Sequence, residues 1–329
     1  MSFSLEDRWT WDFWVADDGH DYHLFFLQAP RSLVDPDLRH QHASVGHATS
    51  SDLVTWTEVA PALLPSESGW DDLCIWTGSV VGEPGDWRMF YTGRGRSDRG
   101  ASQRIGLATS PDLHTWTRVS EGWPIEASSS YEWDSADARA WRWQAHPTSP
   151  EQHFRDPWAI EDGEGRWHLY LTARLPGTGP GRGTVGHAVQ ADDGSWEVKA
   201  PLTDRPGRFE QAEVIQVVEV EGRWVLLFSC LGADLAPVQP GGGGVWSVRV
   251  DGVGSPVDLD AAVRICDERW YVGRLVRDRS GDWQMLAFVN QDAAGLFVGG
   301  LTDPMPVRWR ADGAGLELVG AIGFPPGPL

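Results

Sequence analysis

Residues 154–172 read FRDPWAIEDGEGRWHLYLT. A charged, turn-like tripeptide that contains Asp156 leads into a short apolar segment. The chain then turns at residues 162–165 and returns as an alternating aromatic and aliphatic strand, which predicts a β-hairpin with an acid at its entrance. Two other predicted hairpins open with a carboxylate in a comparable position, Asp12 and Glu213.

One glycine motif recurs five times and indicates five repeated units. In each copy a glycine stands two or three residues before an aromatic residue that begins an apolar strand. The gaps between successive glycines are 66, 80, 57 and 59 residues. Such self-similarity along a chain is the signature of a repeat architecture. The five glycines are Gly19, Gly85, Gly165, Gly222 and Gly281.

A second motif follows the first within the units. Residues 47–56 read HATSSDLVTW and residues 107–116 read LATSPDLHTW, with weaker copies at 186–196 and 299–309. Each copy predicts a third strand paired with a fourth across a polar turn. Four antiparallel strands in each of five units predict an all-β fold, the five-bladed β-propeller. The alternative is a β-sandwich with similar hairpins, but two independent motifs in the same order favour the propeller.

Composition agrees with this fold and limits the domain count. The 329 residues include 20 Trp, 38 Gly and 22 Pro, without a long amphipathic helical run. Because blades repeat within one domain, a single propeller domain over residues 1–329 is predicted. The gap of 80 residues predicts an insertion at 121–153 that forms a surface loop over the central opening. The glycine run 241–244 predicts a turn inside the fourth unit, and the tail 324–328 is predicted to be extended on the surface.

The charge balance restricts the partners. With 27 basic and 47 acidic residues the formal net charge is −20, which repels nucleic acid and anionic membranes and favours a small neutral ligand. The first 11 residues lack the pattern of a signal peptide, and no apolar run is long enough to span a membrane, so a cytoplasmic protein is predicted. No cofactor and no metal site are predicted. The cysteines are expected to be buried free thiols; they are Cys74, Cys230 and Cys266.

Propeller geometry gives the three acids a common location. The innermost strand of every blade lines the central channel, so residues at its start point toward the axis at one end. Asp156 and Glu213 each lie nine residues before their hairpin glycine, and Asp12 lies seven before its own. The three carboxylates are therefore expected to meet in one pocket. Glu210 is a rival to Glu213, which is preferred because its spacing matches that of Asp156.

Each acid also has a plainer interpretation. Asp12 is suited to capping a turn, Arg155 and Asp156 to forming a local ion pair, and Glu213 to lying as a solvated charge at a strand edge. Convergence in a pocket for a neutral ligand instead favours glycosidic bond chemistry. That chemistry needs one carboxylate as nucleophile or base and a second, protonated one as acid.

Five motifs together resemble a known group of proteins. The resemblance is to glycoside hydrolase families 68 and 32, the levansucrase, invertase and fructanase group, and it runs from about residue 11 to 305. The acidic motifs of that group are similar to WDFW at 11–14, FRDP at 154–157 and AEVIQV at 212–217. Its second-blade motif is similar to WTGSV at 76–80, and its first-blade strand to LFFLQAP at 24–30.

The resemblance implies a retaining enzyme with a five-bladed propeller that acts on β-fructofuranosides such as sucrose. It implies that Asp12 is the nucleophile, that Asp156, beside Arg155, binds ring hydroxyls in the transition state, and that Glu213 is the general acid and then the base. Residues that shape the fructosyl pocket would be Gln28 and Trp76. Alternatives on the same scaffold are a fructosyltransferase, an enzyme for another furanoside such as an arabinofuranoside, and a non-catalytic sugar-binding propeller.

Overall fold

The computed structural model describes residues 3–131 and 152–320. It contains five four-stranded antiparallel sheets, here called blades 1 to 5. In each blade the strands lie in chain order, so the first strand is at one edge and the fourth at the other. The predicted all-β, five-bladed propeller is confirmed. Helical structure in the described residues consists of short 3-10 helices at Arg31–Leu33, Pro36–Gln41, Gly232–Asp234 and Leu259–Ala261.

The strands of the first three blades have these bounds: β1 Arg8–Asp17, β2 Tyr22–Pro30, β3 Ser44–Ser50 and β4 Thr57–Glu58 in blade 1; β5 Cys74–Glu83, β6 Asp86–Arg94, β7 Arg104–Ser110 and β8 Thr117–Val119 in blade 2; β9 Phe154–Glu161, β10 Trp167–Arg174, β11 Gly183–Gln190 and β12 Trp196–Val198 in blade 3. The last two blades have these bounds: β13 Glu213–Val220, β14 Arg223–Cys230, β15 Gly244–Val250 and β16 Val263–Asp267 in blade 4; β17 Trp270–Arg277, β18 Trp283–Val289, β19 Met305–Trp309 and β20 Leu316–Leu318 in blade 5.

The five repeated glycines all lie between the first and second strands of a blade. Each has a positive φ, between 75° and 96°, a conformation that costs glycine little and other residues much more. The glycine motif therefore marks the turn of the inner hairpin in every blade. The glycine run 241–244 connects β14 to β15, so it lies within blade 4 as expected.

The second motif marks the third and fourth strands in blades 1, 2 and 3, but its interpretation in blade 5 is wrong. There Trp309 ends the third strand, β19, and the fourth strand begins at Leu316. Leu301 forms isolated bridges to Phe288 and Phe3 and is not part of a strand. Two prolines in the segment 301–309 lack the N–H group that a continuous ladder needs, which explains the shift.

Each inner strand carries a β-bulge near its start, where its register with the second strand is interrupted. A bulge redirects the side chains beside it, which is why bulges are frequent next to active sites. The interruptions follow Trp11 in β1, Trp76 in β5, Arg155 in β9, Glu213 in β13 and Tyr271 in β17.

Hydroxyl groups anchor three of these bulges to the neighbouring blade. The residues Asp156, Val214 and Val272 have φ values of 57°, 53° and 53°. Each donates its backbone N–H to a hydroxyl on the second strand of the preceding blade. The acceptors are Thr92 at 2.8 Å, Thr172 at 3.0 Å and Ser229 at 2.9 Å, respectively. The same device thus sets the inner strands of blades 3, 4 and 5.

The N-terminal segment closes the ring of blades. Phe3 bridges Leu301 of blade 5, and the N–H of Gly300 donates to the carbonyl of Thr10 in β1 at 2.8 Å. All three cysteines are buried free thiols, as predicted. Within the described ranges no helix has the length and apolar composition needed to cross a membrane.

Most of the predicted insertion, residues 132–151, and the predicted extended tail lie outside the described residues. At the edge of the insertion Tyr131 is buried, and its hydroxyl donates to the carbonyl of Lys199 at 2.9 Å. The assignment of residues 1–329 to one domain stays a prediction.

Candidate active site

A cavity of about 100 Å³ lies where the starts of the inner strands meet. Five of the six residues singled out in the sequence line it, from four different blades. They are Asp12 of blade 1, Trp76 of blade 2, Arg155 and Asp156 of blade 3, and Glu213 of blade 4. The inner-strand bulges therefore bring acids that are about 200 residues apart in sequence to one cavity.

Asp12 is the extra residue of the bulge in β1 and is partly exposed to the cavity. Its Oδ2 accepts a hydrogen bond of 2.5 Å from the hydroxyl of Thr77, the bulge residue of β5. Burial, and then the negative charge of Asp156, raise the pKa of Asp12 to about 7 from 3.8. Thr77 and Arg39 act in the opposite direction. Near neutral pH this carboxyl group is thus poised between its two protonation states.

Asp156 is buried, and the hydroxyl of Thr172 donates to its Oδ2 at 2.8 Å. The Nε of Arg155 lies 3.3 Å from the same oxygen. Burial raises the pKa of Asp156 to about 6, while Arg155 lowers it and Glu213 raises it. The local ion pair considered for these two residues does exist, and it faces the cavity.

Both carboxylate oxygens of Glu213 accept hydrogen bonds. Arg155 donates to Oε1 through Nη2, and the hydroxyl of Tyr271 donates to Oε2 at 2.6 Å. The same Nη2 of Arg155 also donates to Gln211 at 3.1 Å. Arg155 therefore connects the acid of blade 3 with the acid of blade 4 and fixes their relative positions.

Glu210, the rival of Glu213, is held away from the cavity. Its Oε2 accepts from Arg174 at 2.9 Å, and its Oε1 accepts from the backbone N–H of Gly181 at 2.9 Å. Glu210 thus ties together the loops of blade 3. The spacing used to prefer Glu213 does not reflect equivalent positions, because Val214 is the residue that corresponds to Asp156 in bulge geometry.

Gln28 does not line the cavity, which corrects the position expected from the sequence. Its Oε1 accepts from Arg8 at 2.7 Å, and its amide nitrogen lies 3.4 Å from the hydroxyl of Ser44. Side chains alternate between the faces of a strand, and it is the preceding residue, Leu27, that reaches the cavity. Trp76 lies on the wall, with its indole N–H donating to the carbonyl of His40 at 2.7 Å.

Sequence reasoning missed several residues of the cavity wall. Tyr271 precedes the bulge of β17 just as Glu213 precedes the bulge of β13, so a comparison of inner strands would have found it. Arg39 comes from a 3-10 helix between β2 and β3, and no repeat motif indicates such a loop residue. Its guanidinium lies 3.7 Å from the ring centre of Phe297 in blade 5. The other missed polar residues are His40, Thr77, Gln103, His153 and Asn290.

Nothing in residues 3–131 and 152–320 gathers three His, Cys, Asp or Glu side chains as metal ligands. The chemistry of the cavity is that of carboxylates in unequal environments. Asp12 and Asp156 have raised pKa values, whereas Glu213 accepts two hydrogen bonds. Such a set can combine nucleophilic attack with proton transfer on a ligand of about the size of one sugar ring.

Comparison with known proteins agrees with the fold. Inulosucrase from Halalkalicoccus jeotgali bound to kestose superposes with a TM-score of 0.74 at 21% identity, over 96% of this chain and 88% of that chain. Fructan 1-exohydrolase IIa from Cichorium intybus superposes with a TM-score of 0.69 at 19% identity, over 97% of this chain and 59% of that chain.

Sequence relatives match over shorter segments. The chain is 33% identical over 110 residues to 6(G)-fructosyltransferase of Asparagus officinalis, which is 32% of this chain and 17% of the relative. The matches to curated relatives span between 17% and 26% of the length of those proteins.

A family profile matches a larger part of the chain. Residues 15–240 match the glycosyl hydrolases family 32 N-terminal domain. This range is more than half of the chain; it includes Asp156 and Glu213 and begins three residues after Asp12. The resemblance to this group is thereby confirmed, and the chain belongs to glycosyl hydrolase family 32 through the N-terminal domain of that family.

Proposed function

We propose that this protein is a retaining glycoside hydrolase that cleaves terminal β-fructofuranosides, such as sucrose or a short fructo-oligosaccharide. The observation that carries the proposal is the meeting of Asp12, Asp156 and Glu213 in one small cavity, with Arg155 bonded to two of them. A retaining mechanism needs a nucleophile on one side of the scissile bond and an acid on the other. Asp12 and Glu213 supply this pair from blades 1 and 4.

Asp12 acts as the nucleophile in the proposed first step. The hydroxyl of Thr77 holds Oδ2, which leaves Oδ1 free to attack the anomeric carbon of the fructosyl unit. Glu213 gives its proton to the leaving oxygen, and a covalent fructosyl-enzyme ester forms. In the second step Glu213 removes a proton from water, and the water displaces Asp12 from the anomeric carbon.

Asp156 stabilises the transition state by accepting hydrogen bonds from ring hydroxyls. Its Oδ2 is engaged by Thr172 and Arg155, so Oδ1 is the oxygen that is available to the sugar. Hydrogen bonds that involve a charged group are about twice as strong as neutral ones, and they favour the state in which the sugar fits best.

Tyr271 permits Glu213 to work in both protonation states. The Tyr271 hydroxyl donates to Glu213, which suits the ionised, base form. A tyrosine hydroxyl can also accept a hydrogen bond, so it can turn to receive the proton of the acid form. Arg155 has only donors and cannot change its role in this way.

Release of fructose from sucrose by the purified protein tests the proposal. The Glu213→Gln variant is expected to lose roughly 100-fold to 10,000-fold in kcat for a poor leaving group, as is typical of general acids. Glu210→Gln is the matched control and is expected to keep the activity within a few-fold. Loss in Glu210→Gln with retention in Glu213→Gln would contradict the assignment.

Retention of configuration is a separate readout. Proton NMR of the first product formed from a β-fructofuranoside is expected to show β-fructofuranose before mutarotation. Binding of sugars without turnover of any furanoside in a panel would favour the non-catalytic propeller over the enzyme.

Fructosyl transfer is the second candidate. Among the proteins similar to this chain are a 6(G)-fructosyltransferase and a fructan 1-exohydrolase, so its relatives include proteins named for transfer and for hydrolysis. The covalent intermediate is common to both reactions, and the acceptor that reaches it decides the outcome. Product analysis at high sucrose concentration distinguishes them, because a transferase yields oligosaccharides and a hydrolase yields equal amounts of glucose and fructose.

A further inference from the structure

Arg274 of β17 is an arginine buried in the interior of the ring, with a relative exposure of 2%. Its Nη1 donates to the carbonyl of Ile215 at 2.7 Å, and its Nε donates to the carbonyl of Phe13 at 3.3 Å. The guanidinium also lies over the ring of Trp158, 4.9 Å from the centre. One side chain of blade 5 thus contacts blades 1, 3 and 4.

Each of these contacts lies one or two residues after an acid of the cavity. Phe13 is the residue after Asp12, Trp158 is two residues after Asp156, and Ile215 is two residues after Glu213. Arg274 therefore joins the three inner strands at the level just beyond the carboxylates. The contacts on β1 and β13 are to backbone carbonyls, so they fix the strands themselves and not only side chains.

Within residues 3–131 and 152–320 the charge of Arg274 has no direct counter-ion. Its Nη2 has no hydrogen-bond partner there, and its contacts are two neutral carbonyls and one aromatic ring. A cation removed from water in this way is costly unless a negative charge lies near. The carboxylates of Asp156 and Asp12 supply that charge across the interior, since both interact electrostatically with Arg274.

We propose that Arg274 is a positioning residue for the acids: it holds the three acid-bearing strands in register, and its positive charge favours the ionised forms of Asp12 and Asp156. The enzymatic part of this proposal rests on the proposed function. The charge coupling does not, because it is a property of the folded protein alone.

Two other arginines also act on these acids, Arg155 on Asp156 and Arg39 on Asp12. Arg155 is shared among Asp156, Glu213 and Gln211, and Arg39 donates to the carbonyl of Pro36 at 2.8 Å. Arg274 interacts electrostatically with both Asp12 and Asp156. The charged groups that interact with this pair are Glu213, Arg39, Arg155 and Arg274.

The pH dependence of kcat/KM separates charge from structure. Arg274→Met keeps the length and apolar stem but removes the charge, so the acidic limb of the profile is expected to move upward by about one pH unit or more. Arg274→Lys keeps the charge and is expected to have an acidic limb close to that of the wild type. A folded Arg274→Met variant with an unchanged acidic limb would overturn the proposal.

A thermal unfolding cycle tests the coupling without any activity. At pH 8, Arg274→Met is expected to lower Tm clearly in the wild-type background and much less in Asp12→Asn/Asp156→Asn, where the arginine has lost its counter-charges. Arg182→Met is the control, because Arg182 is also buried but donates to the carbonyls of Leu175, Gly177 and Gly179. Its effect on Tm is expected to be equal in both backgrounds.

Equal losses of Tm for Arg274→Met in the two backgrounds would show a purely structural role and overturn the proposal. Failure of Arg274→Met to fold in both backgrounds would have the same meaning. Folding only in the Asp12→Asn/Asp156→Asn background would support the coupling. If the protein releases no fructose, the unfolding cycle still decides on Arg274, so the two proposals fail independently.

Discussion

At the scale of single residues, the cavity contains carboxyl groups whose pKa values are raised in the folded protein. Burial and mutual repulsion raise the pKa of Asp12 to about 7 and that of Asp156 to about 6. An acid whose pKa is raised by folding binds more protons in the folded state than in the unfolded one. Its contribution to stability therefore falls as the pH rises from about 4 to 7. Above pH 7 the acid is ionised in both states, and the whole loss of stability remains.

Replacing Asp12 by Asn tests this directly. Asn has the same shape and can still accept the hydrogen bond from Thr77, but it carries no charge. We expect the free energy of unfolding at pH 8 to rise by about 1–3 kcal/mol, a range kept modest because Asp12 is partly exposed. Near pH 4 the two proteins should be almost equally stable. Denaturant unfolding at both pH values measures the difference, and a variant that is less stable at pH 8 would contradict the assignment.

At the scale of elements, the bulges and the hydroxyls that anchor them give the acids their positions. Thr172 of β10 shows the coupling most clearly, because its hydroxyl accepts from the N–H of Val214 and donates to Asp156. It is fully buried, so neither group has water as a substitute. One threonine thus links the bulge of blade 4 to the acid of blade 3.

Thr172→Val keeps the volume and removes both hydrogen bonds. We expect a loss of about 1–3 kcal/mol in the free energy of unfolding, as for a buried group left without a partner. We also expect kcat/KM to fall about tenfold or more, because Asp156 and Glu213 lose a fixed separation. Thr184→Val is the control: its buried hydroxyl donates to the carbonyl of Thr203 at 2.6 Å, away from the acids. An equal fall of kcat/KM in both variants would contradict this role of Thr172.

A second element recurs in blades 1 and 3, where an acid of the hairpin turn, a histidine of the second strand and a histidine of the third strand form a chain. In blade 3, Asp162 lies 3.2 Å from His168, whose Nδ1 lies 2.9 Å from Nε2 of His187. Blade 1 repeats the arrangement with Asp18, His23 and His47. The two histidine rings stack in each blade, with centres 5.1 Å apart.

The buried histidines of the third strands, His47 and His187, make the protein sensitive to acid. Burial lowers the pKa of His187 to about 4 from 6.5, so the unfolded state binds the proton first as the pH falls below 6.5. We expect this group to cost about 2 kcal/mol of stability between pH 7.5 and 5. His187→Phe should be less stable at pH 7.5 but should lose less over this range. Unfolding curves at the two pH values measure both slopes, and identical slopes would contradict the mechanism.

The sequence predicts the blades better than it predicts the cavity wall. The hairpin glycines are visible because their positive φ restricts the residue type, and the acids are visible because a carboxylate at a strand entrance is unusual. Bulges leave no such mark, so the correspondence of Asp156 with Val214 could not be read from spacing. The positions of Arg39 and Gln28 could not be predicted either. Where the loop residue Arg39 lies, and which face of its strand Gln28 occupies, depend on three-dimensional contacts that the sequence does not display.

At the scale of the whole molecule, the ring of five blades brings the starts of the inner strands together around one cavity. Each blade contributes at least three residues to the cavity. The closure of the ring through Phe3 and Gly300 sets the distance between the first and last blades. The formal net charge of −20 disfavours anionic ligands, which agrees with the proposed neutral saccharide. The cytoplasmic location stays a prediction, and fractionation of the producing cells tests it.

Acids from blades 1, 3 and 4 are proposed to act together on one sugar ring. A crystal structure of Glu213→Gln soaked with sucrose tests it most directly. We expect the fructosyl anomeric carbon about 3–3.5 Å from Oδ1 of Asp12, with ring hydroxyls donating to Asp156 and the glycosidic oxygen beside residue 213. A fructosyl unit bound outside this cavity, or bound in it with its anomeric carbon turned away from Asp12, would contradict the claim.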